Sequence, residues 1–101
     1  MATIRGTTPT HVFNTDLDLT TADAVYVTYK QDGITIMEKD KGELEITNDK
    51  ITYKLTQEET LIFRPTASVK IQIRAKFADG TAVASNVISA SISDILKEGV
   101  I

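Results

Sequence analysis

His11 is the only histidine of the 101-residue chain, and it is the side chain best suited to moving a proton near neutral pH. A histidine that acts as a general base needs a nucleophile and an orienting carboxylate, and the chain has no G-x-S-x-G turn that would present a serine. His11 follows Pro9 in a segment that predicts an edge strand running through Phe13. We therefore interpret His11 as structural and expect no catalytic residue.

Carboxylates are the next candidates for chemistry. Asp16, Asp18 and Asp23 lie close together, as calcium ligands do, but the segment lacks the glycine and terminal glutamate of a calcium loop. Aspartates in such a segment typically cap turns by accepting hydrogen bonds from backbone N–H groups. Glu58 and Glu59 are neighbours on a predicted helical turn, so their carboxylates point in different directions. We expect no metal site and no acid–base pair.

The composition excludes further classes of chemistry. The chain has no cysteine, so it forms no disulfide, thiolate metal site or cysteine nucleophile. Its five glycines form no phosphate-binding or dinucleotide motif, and a formal net charge of -3 argues against nucleic acid as a partner. No segment resembles a signal peptide or a membrane span, so we expect synthesis in a cytoplasm. These features predict no cofactor and no membrane partner.

Strands joined by tight turns are the predicted elements. Residues 69–77 alternate apolar and polar side chains with a period of two, and Asp79-Gly80 follows as a type I′ turn sequence. A turn at this point sets the register and leaves Asn86 on the apolar face opposite Ile73. The apolar pairs predicted on that face are Phe77–Ala82, Ala75–Ala84, Ile71–Ile88 and Val69–Ala90.

Two further hairpins follow from the same reasoning. Asn48-Asp49 turns residues 42–47 back onto residues 50–55, and Asp32-Gly33 turns residues 24–31 onto residues 34–38. The predicted cross-strand pairs are Ile46–Ile51, Leu44–Tyr53, Glu43–Lys54 and Tyr29–Ile36.

One helical corner interrupts the strands. Thr56 and Glu59 have the spacing of a capping box, and Pro65 ends any helix that begins there. Leu61 and Phe63 are predicted to pack beneath this turn. A last short turn near Ser93 or Asp94 is predicted to pack Ile95 and Leu96 back onto the domain.

These elements predict an all-β fold. About seven short strands, tight turns and one short helical turn indicate an immunoglobulin-like antiparallel β-sandwich, as a single domain over residues 1–101. A small barrel or a single curled sheet is the alternative, because each of these has alternating strands.

Several residues are candidates for contacts with other proteins. A buried Asn86 needs a hydrogen-bond partner, either the backbone of this chain or a neighbouring subunit. Ser85, Ser89, Ser91 and Ser93 share a nearly uncharged face, which is either solvent-exposed or a flat surface for packing or strand addition. The apolar C-terminus docks on this chain or on a partner. The candidate interface residues are Asn86, Ser89, Ser91, Val100 and Ile101.

Four segments carry a resemblance to a known family: "MATIRGTTPT", "KLTQEETLIF", "VKIQIRAKFADGTAVASN" and "ILKEGVI". They resemble small tail-region structural proteins of phages and prophages of Gram-positive bacteria. More distantly, the chain is similar to the immunoglobulin-like N-terminal domain of baseplate upper proteins, which attach receptor-binding parts to a siphophage tail. The long C-terminal part of those proteins has no counterpart here, so we expect a stand-alone module.

The resemblance implies a non-enzymatic structural or assembly protein of a phage tail or baseplate, located in the virion tail after synthesis in the host cytoplasm. Its implied partners are other tail or baseplate proteins and further copies of itself. A module that binds carbohydrate or the host surface is the main alternative, with Tyr26 as the clearest outward aromatic residue. An inhibitor or regulator of a host protein is a third class.

Overall fold

The computed structural model describes residues 1–101, which form two β-sheets packed face to face. A six-residue α-helix and a 3-10 helix, Lys41–Glu43, join some of the strands. The elements are β1 (Ala2–Ile4), β2 (Thr10–Asn14), β3 (Ala24–Gln31), β4 (Ile34–Asp40), β5 (Glu45–Ile46), β6 (Lys50–Lys54), α1 (Gln57–Ile62), β7 (Val69–Lys76), β8 (Ala82–Ala84) and β9 (Ile88–Ser93).

The larger sheet has the strand order β1-β9-β7-β3-β4, with β8 also paired to β7, and the smaller sheet has the order β2-β6-β5. All neighbouring strands are antiparallel except β1, which runs parallel to β9. The predicted immunoglobulin-like sandwich is confirmed, and two separate sheets exclude the barrel and the single curled sheet. No helix of the structure combines the length and hydropathy of a membrane span.

The core lies between the sheets and is built by strict alternation. On β3 and β7 every second side chain is buried, which is the pattern of a strand with one dry face. Phe13 and Ile51 on the smaller sheet pack against this layer. The buried residues that β3 and β7 contribute to the hydrophobic core are Val25, Val27, Tyr29, Val69, Ile71, Ile73 and Ala75.

The turn at Asp79-Gly80 is not the predicted type I′ turn. The loop contains three residues, Ala78–Gly80, and of these Gly80 alone has a positive φ, 88°. A type I turn followed by a left-handed glycine is the usual three-residue hairpin. The additional residue shifts the pairs near the turn by one position, so that Ala75 lies opposite Val83 and not Ala84.

An interruption between β8 and β9 then restores the predicted register. Beyond Ser85, Ile71 pairs with Ile88 and Val69 with Ala90, as predicted. The Ser85 hydroxyl accepts a hydrogen bond from the Ile73 N–H at 3.0 Å and donates to the Asn86 carbonyl at 2.9 Å. The serine side chain therefore replaces part of the backbone ladder across the interruption.

The prediction of a buried Asn86 is wrong. The interruption turns Asn86 out of the apolar face, and its side chain is exposed. Gln31 is the buried amide instead. Its Nε2 donates to the carbonyls of Arg64 and Ala67 at 2.7 and 2.8 Å, and its Oε1 accepts from the Arg64 N–H at 2.7 Å.

The Asp32-Gly33 hairpin is confirmed and is longer than predicted. Both turn residues have positive φ, 53° and 76°, as a type I′ turn requires. A bulge after Tyr29 places this residue opposite Met37 and not Ile36.

The Asn48-Asp49 hairpin is confirmed only next to its turn. Ile46 pairs with Ile51, but the predicted pairs Leu44–Tyr53 and Glu43–Lys54 are wrong because the 3-10 helix occupies this part of the chain. Asp40 caps that helix by accepting from the Gly42 N–H at 3.0 Å, and the Glu43 carboxylate accepts from the Asp40 N–H at 3.2 Å.

The helical corner agrees with its capping box. The Thr56 hydroxyl accepts from the Glu59 N–H, the Glu59 carboxylate accepts from the Thr56 N–H, and Phe63 is buried behind the helix. The prediction for the C-terminal segment is half wrong, because Ile95 is half-buried while Leu96 is fully exposed. The C-terminal segment contacts the rest of the domain through the ion pairs of Asp94 and Glu98 with Arg5, and not through Leu96.

Two isoleucines of the larger sheet form a matched pair for testing the core. Ile71→Ala should lower the free energy of unfolding by about 2–5 kcal/mol, because a fully buried side chain is lost from a packed layer. Ile34→Ala, at a side chain that is 65% exposed, should change it by less than about 0.5 kcal/mol. Urea unfolding followed by circular dichroism measures both, and equal effects would contradict this description of the core.

Candidate functional site

His11 is buried between the two sheets, where both of its ring nitrogens are hydrogen-bonded. Nε2 lies 2.9 Å from the Thr3 hydroxyl on β1, and Nδ1 lies 2.9 Å from the Tyr29 hydroxyl on β3. Neither partner is a carboxylate or an exposed nucleophile. The histidine therefore has a structural role, as predicted, although it lies in the core and not on the surface.

Aromatic packing continues this polar row. The His11 and Tyr29 rings stack with centroids 5.8 Å apart, and the Tyr29 and Phe63 rings stack with centroids 6.1 Å apart. Burial lowers the pKa of His11 below its ordinary value, because desolvation disfavours the imidazolium, and it raises the pKa of the Tyr29 phenol. Both groups are therefore neutral at pH 7.

Arg5, which follows β1, connects the end of α1 and the C-terminal segment at one end of the sandwich. Its Nε donates to the Phe63 carbonyl at 2.9 Å and its Nη2 to the Leu61 carbonyl at 3.1 Å. Its Nη1 also pairs with Asp94 at 2.6 Å and Glu98 at 2.9 Å, which brings the C-terminal segment against α1. A single arginine in a polar N-terminal stretch gave no sign of this role in the sequence.

A second polar cluster joins β4, β6 and α1. Lys39 Nζ lies 2.6 Å from Glu59, and the Tyr53 hydroxyl donates to the same carboxylate at 2.8 Å. Lys39 also lies over the Tyr53 ring, 5.3 Å from its centroid. Glu59 raises the pKa of Lys39, and the ammonium group in turn holds the pKa of Glu59 down against desolvation. Glu58 takes no part in the cluster, so the two glutamates are not a pair.

Of the three aspartates after β2, Asp18 caps a turn as predicted. Asp18 accepts hydrogen bonds from the Thr20 N–H at 2.9 Å and the Thr20 hydroxyl at 2.6 Å, which hold the pKa of this aspartate below its ordinary value. No three histidine or acidic side chains come close enough to hold a metal ion.

The candidate interface residues lie on different elements. Ser89 and Ser91 are exposed on β9, and Asn86 is exposed in the interruption that precedes this strand. Strand addition at Ser91 is blocked, because Ala2 of β1 already pairs with it. Packing of another surface against these serines stays a prediction.

The C-terminus docks on its own chain through its backbone. The Ile101 N–H donates to the Gln57 Oε1 at 2.8 Å, and Gln57 Nε2 donates to the Ile101 carbonyl at 3.3 Å. The side chains of Val100 and Ile101 are exposed, so contact between these two side chains and a partner stays a prediction.

An open cleft separates the sheets at the end opposite Arg5. It encloses about 550 Å³ between the loop that follows β2 and the interrupted strand β8–β9. Leu19, Ile73 and Ile88 form part of its apolar wall, and Asn86 lies at its rim. The buried hydroxyl of Thr15, which also lines the cleft, has no hydrogen-bond partner.

The outer face of the larger sheet is the most distinctive exposed surface. Tyr26 projects outward from β3 and is 43% exposed. In the same row across the sheet, Asp40 of β4 and Arg74 of β7 flank Tyr26, and Ala84 follows on β8. Ser89, Ser91, Ser93 and Ala2 make the β9–β1 side of this face uncharged, and Ile4, which is 49% exposed, projects from β1 on the same face.

Cations on this face have no ionic partner. Arg74 and Lys76 form no ion pair, and Lys30 lies directly opposite Lys70, an arrangement of like charges that destabilises a sheet. The two carboxylates of the face, Glu38 and Asp40, lie on the edge strand β4. The face therefore has a positive side and a negative side, with Tyr26 between them. The sequence pattern identified Tyr26 as outward, but not these neighbours.

Comparison with solved structures defines the fold class. The immunoglobulin-like domain of mouse leukocyte-associated immunoglobulin-like receptor 1, solved as a strand-swapped dimer, is similar with a TM-score of 0.51 and 15% identity over 91% of this chain and 85% of that chain. The V domain of amphioxus IgVJ-C2 gives a TM-score of 0.40 and 13% identity over 92% of this chain and 99% of that chain. No protein-family model and no curated protein sequence matches the chain. The chain therefore has an immunoglobulin-like fold.

His11 makes a specific contribution to the pH dependence of stability. Because its folded pKa is depressed below the ordinary value of 6.5, the unfolded chain binds the proton more readily, and stability should fall as pH falls below about 6.5. His11→Gln should remove this component, reducing the slope by up to about 1.4 kcal/mol per pH unit. Urea unfolding of both proteins between about pH 7.5 and about pH 5 measures the difference. Parallel pH profiles would contradict it.

Proposed function

We propose that this protein is a non-enzymatic assembly module of a phage or prophage tail or baseplate, which acts through protein–protein contacts. The contact surface proposed is the outer face of the larger sheet, centred on Tyr26. The observation that carries the proposal is the row formed by Asp40, Tyr26 and Arg74, in which an exposed aromatic ring stands between two opposite charges that do not pair within the chain. Exposed aromatic and arginine side chains are typical of protein interfaces.

The interior supports the same proposal. The side chains that could carry chemistry in the core, those of His11, Tyr29 and Gln31, have their hydrogen bonds to neighbours within the chain. Lys39 and Glu59 are likewise paired with each other. Groups held in this way stabilise the sandwich, so a role in contacts falls to the outer surface.

The resemblance to tail-region proteins supplies the setting of the proposal. Tail and baseplate particles are symmetric, and they need small rigid subunits with repeated contact surfaces. A sandwich whose termini and helix are fastened by Arg5 and Gln57 presents such a surface without large rearrangement.

A carbohydrate-binding module is the second candidate, because sugar sites combine an exposed aromatic face with polar groups around it. Tyr26 has this exposure, and Asp40 and Arg74 supply polar groups on either side. The partners implied by this alternative are glycans of the host surface.

Genetic complementation tests the assembly role. Deletion of the gene from its prophage should abolish or shorten tails in electron micrographs of induced lysates, and the wild-type gene should restore them. Arg74→Asp should fail to restore them, whereas Lys50→Asp, an exposed cation on the outer face of the smaller sheet, should succeed. Normal tails in the deletion strain would overturn the proposal.

A glycan array separates the two candidates. If the assembly proposal holds, neither the wild type nor Tyr26→Ala should bind any glycan. Specific binding by the wild type that falls at least about tenfold in Tyr26→Ala would favour the carbohydrate alternative, because stacking against the ring would have been removed.

A further inference from the structure

We propose that the partner of the Tyr26 face is a second copy of this chain, docked face to face about a two-fold axis that runs along β3. This inference rests on the proposed contact role of the same face. The similar receptor domain dimerises by exchanging strands. The contact proposed here is different, because it joins charged rows on two sheet faces and exchanges no strand.

The register of three strands carries the argument. Tyr26 lies directly opposite Asp40 on one side and directly opposite Arg74 on the other, so that the three side chains form one row across the sheet. Neighbouring strands are about 4.8 Å apart, which places the backbones of Asp40 and Arg74 about 10 Å from each other with that of Tyr26 between them. Neither charge has an ionic partner within the chain.

A two-fold axis along β3 makes this row complementary to itself. Rotation about the axis places β7 of one copy over β4 of the other, so that Arg74 faces the second copy's Asp40 and the reverse pair forms simultaneously. The two Tyr26 rings meet at the axis. An isologous contact of this kind satisfies both charges with one surface patch.

The geometry of packed sheets preserves these pairs. Two aligned sheets pack with their strands about 30° apart. Because each charge lies only one strand from the axis, this rotation displaces the paired groups by about 2.5 Å, which the length of an arginine accommodates. The neighbouring row is satisfied within one copy, since the Thr28 hydroxyl donates to Glu38 at 3.2 Å and Gln72 donates to the Ser85 carbonyl at 2.9 Å. In the Tyr26 row, Asp40 accepts from the Gly42 N–H but has no ionic partner, and Arg74 has none either, so this row carries two opposite charges that can pair outside the chain.

Charge exchange tests the two-fold arrangement. The wild type should show a concentration-dependent monomer–dimer equilibrium in sedimentation velocity, weakened by salt because the pairs are exposed at the rim. Arg74→Asp and Asp40→Lys, each alone, should weaken dimerisation by about 30-fold or more, because like charges then face each other twice. An equimolar mixture of the two variants should dimerise, since each chain then offers the charges that the other lacks.

Two controls separate charge from folding. Asp40→Asn keeps the cap of the 3-10 helix, because asparagine caps as well as aspartate, and should weaken dimerisation without changing the melting temperature. Lys50→Asp, on the outer face of the other sheet, should leave dimerisation unchanged.

A wild type that stays monomeric at about 1 mM, or a mixture of the two variants that does not associate, would overturn the second copy as partner. The proposed function is judged separately by tail assembly in the deletion strain. Dimerisation together with normal tails would overturn the assembly role and leave the self-contact standing.

Discussion

The hydrogen-bonded row of Thr3, His11 and Tyr29 is the interaction on which the packing of the two sheets depends. It is the point at which polar groups from both sheets meet inside the core, since Thr3 and Tyr29 belong to the larger sheet and His11 to the smaller one. A buried polar group without a partner costs about 1–3 kcal/mol, so the sheets are most stable in the alignment that pairs all three groups. Apolar side chains alone would accept several nearby alignments, and this row selects one.

The polar side chains of the core are hydrogen-bonded within the chain, whereas the outward side chains of the sheets are exposed. Tyr29 and Tyr26 illustrate the division, because they are three residues apart on β3 and face opposite sides of the sheet. The first is fully buried and bound to His11, whereas the second is exposed between two charges. The proposed protein contacts therefore involve the outward side chains, which tolerate substitution without disturbing the core.

Sequence reasoning predicted the sandwich because alternation with a period of two and the turn dipeptides are local signals. The Asp32-Gly33 turn and the capping box of Thr56 were found for this reason. The predicted register near Asp79-Gly80 was wrong by one residue, because the same dipeptide occurs in both two-residue and three-residue hairpin loops. The error placed Asn86 in the core, since a slip of one residue reverses the face of a side chain, and the predicted register returns only at Ile88.

The candidate surface was only partly accessible to the same reasoning. An outward Tyr26 follows from alternation alone, but its neighbours Asp40 and Arg74 are 14 and 48 positions away in the chain. Their alignment depends on the bulge after Tyr29 and on the pairing of β3 with β7, neither of which the alternation specifies. Likewise, the bonds of Arg5 to α1 and the C-terminus join segments that only the folded topology brings together.

The interrupted strand β8–β9 makes the two ends of the sandwich unequal in rigidity. One end is fastened by Arg5 and Gln31, whereas the other contains the open cleft and the unpartnered hydroxyl of Thr15. Regions with fewer packed contacts open locally at lower free energy than the rest of a domain. Tyr26 and Arg74 lie toward this looser end, because Ile73 and Ala75 on either side of Arg74 line the cleft. A partner that bound there would also restrict the motion of this end. The conformational entropy lost by this end would then offset part of the free energy of binding. The affinity would therefore depend on how rigid this end is in the free protein.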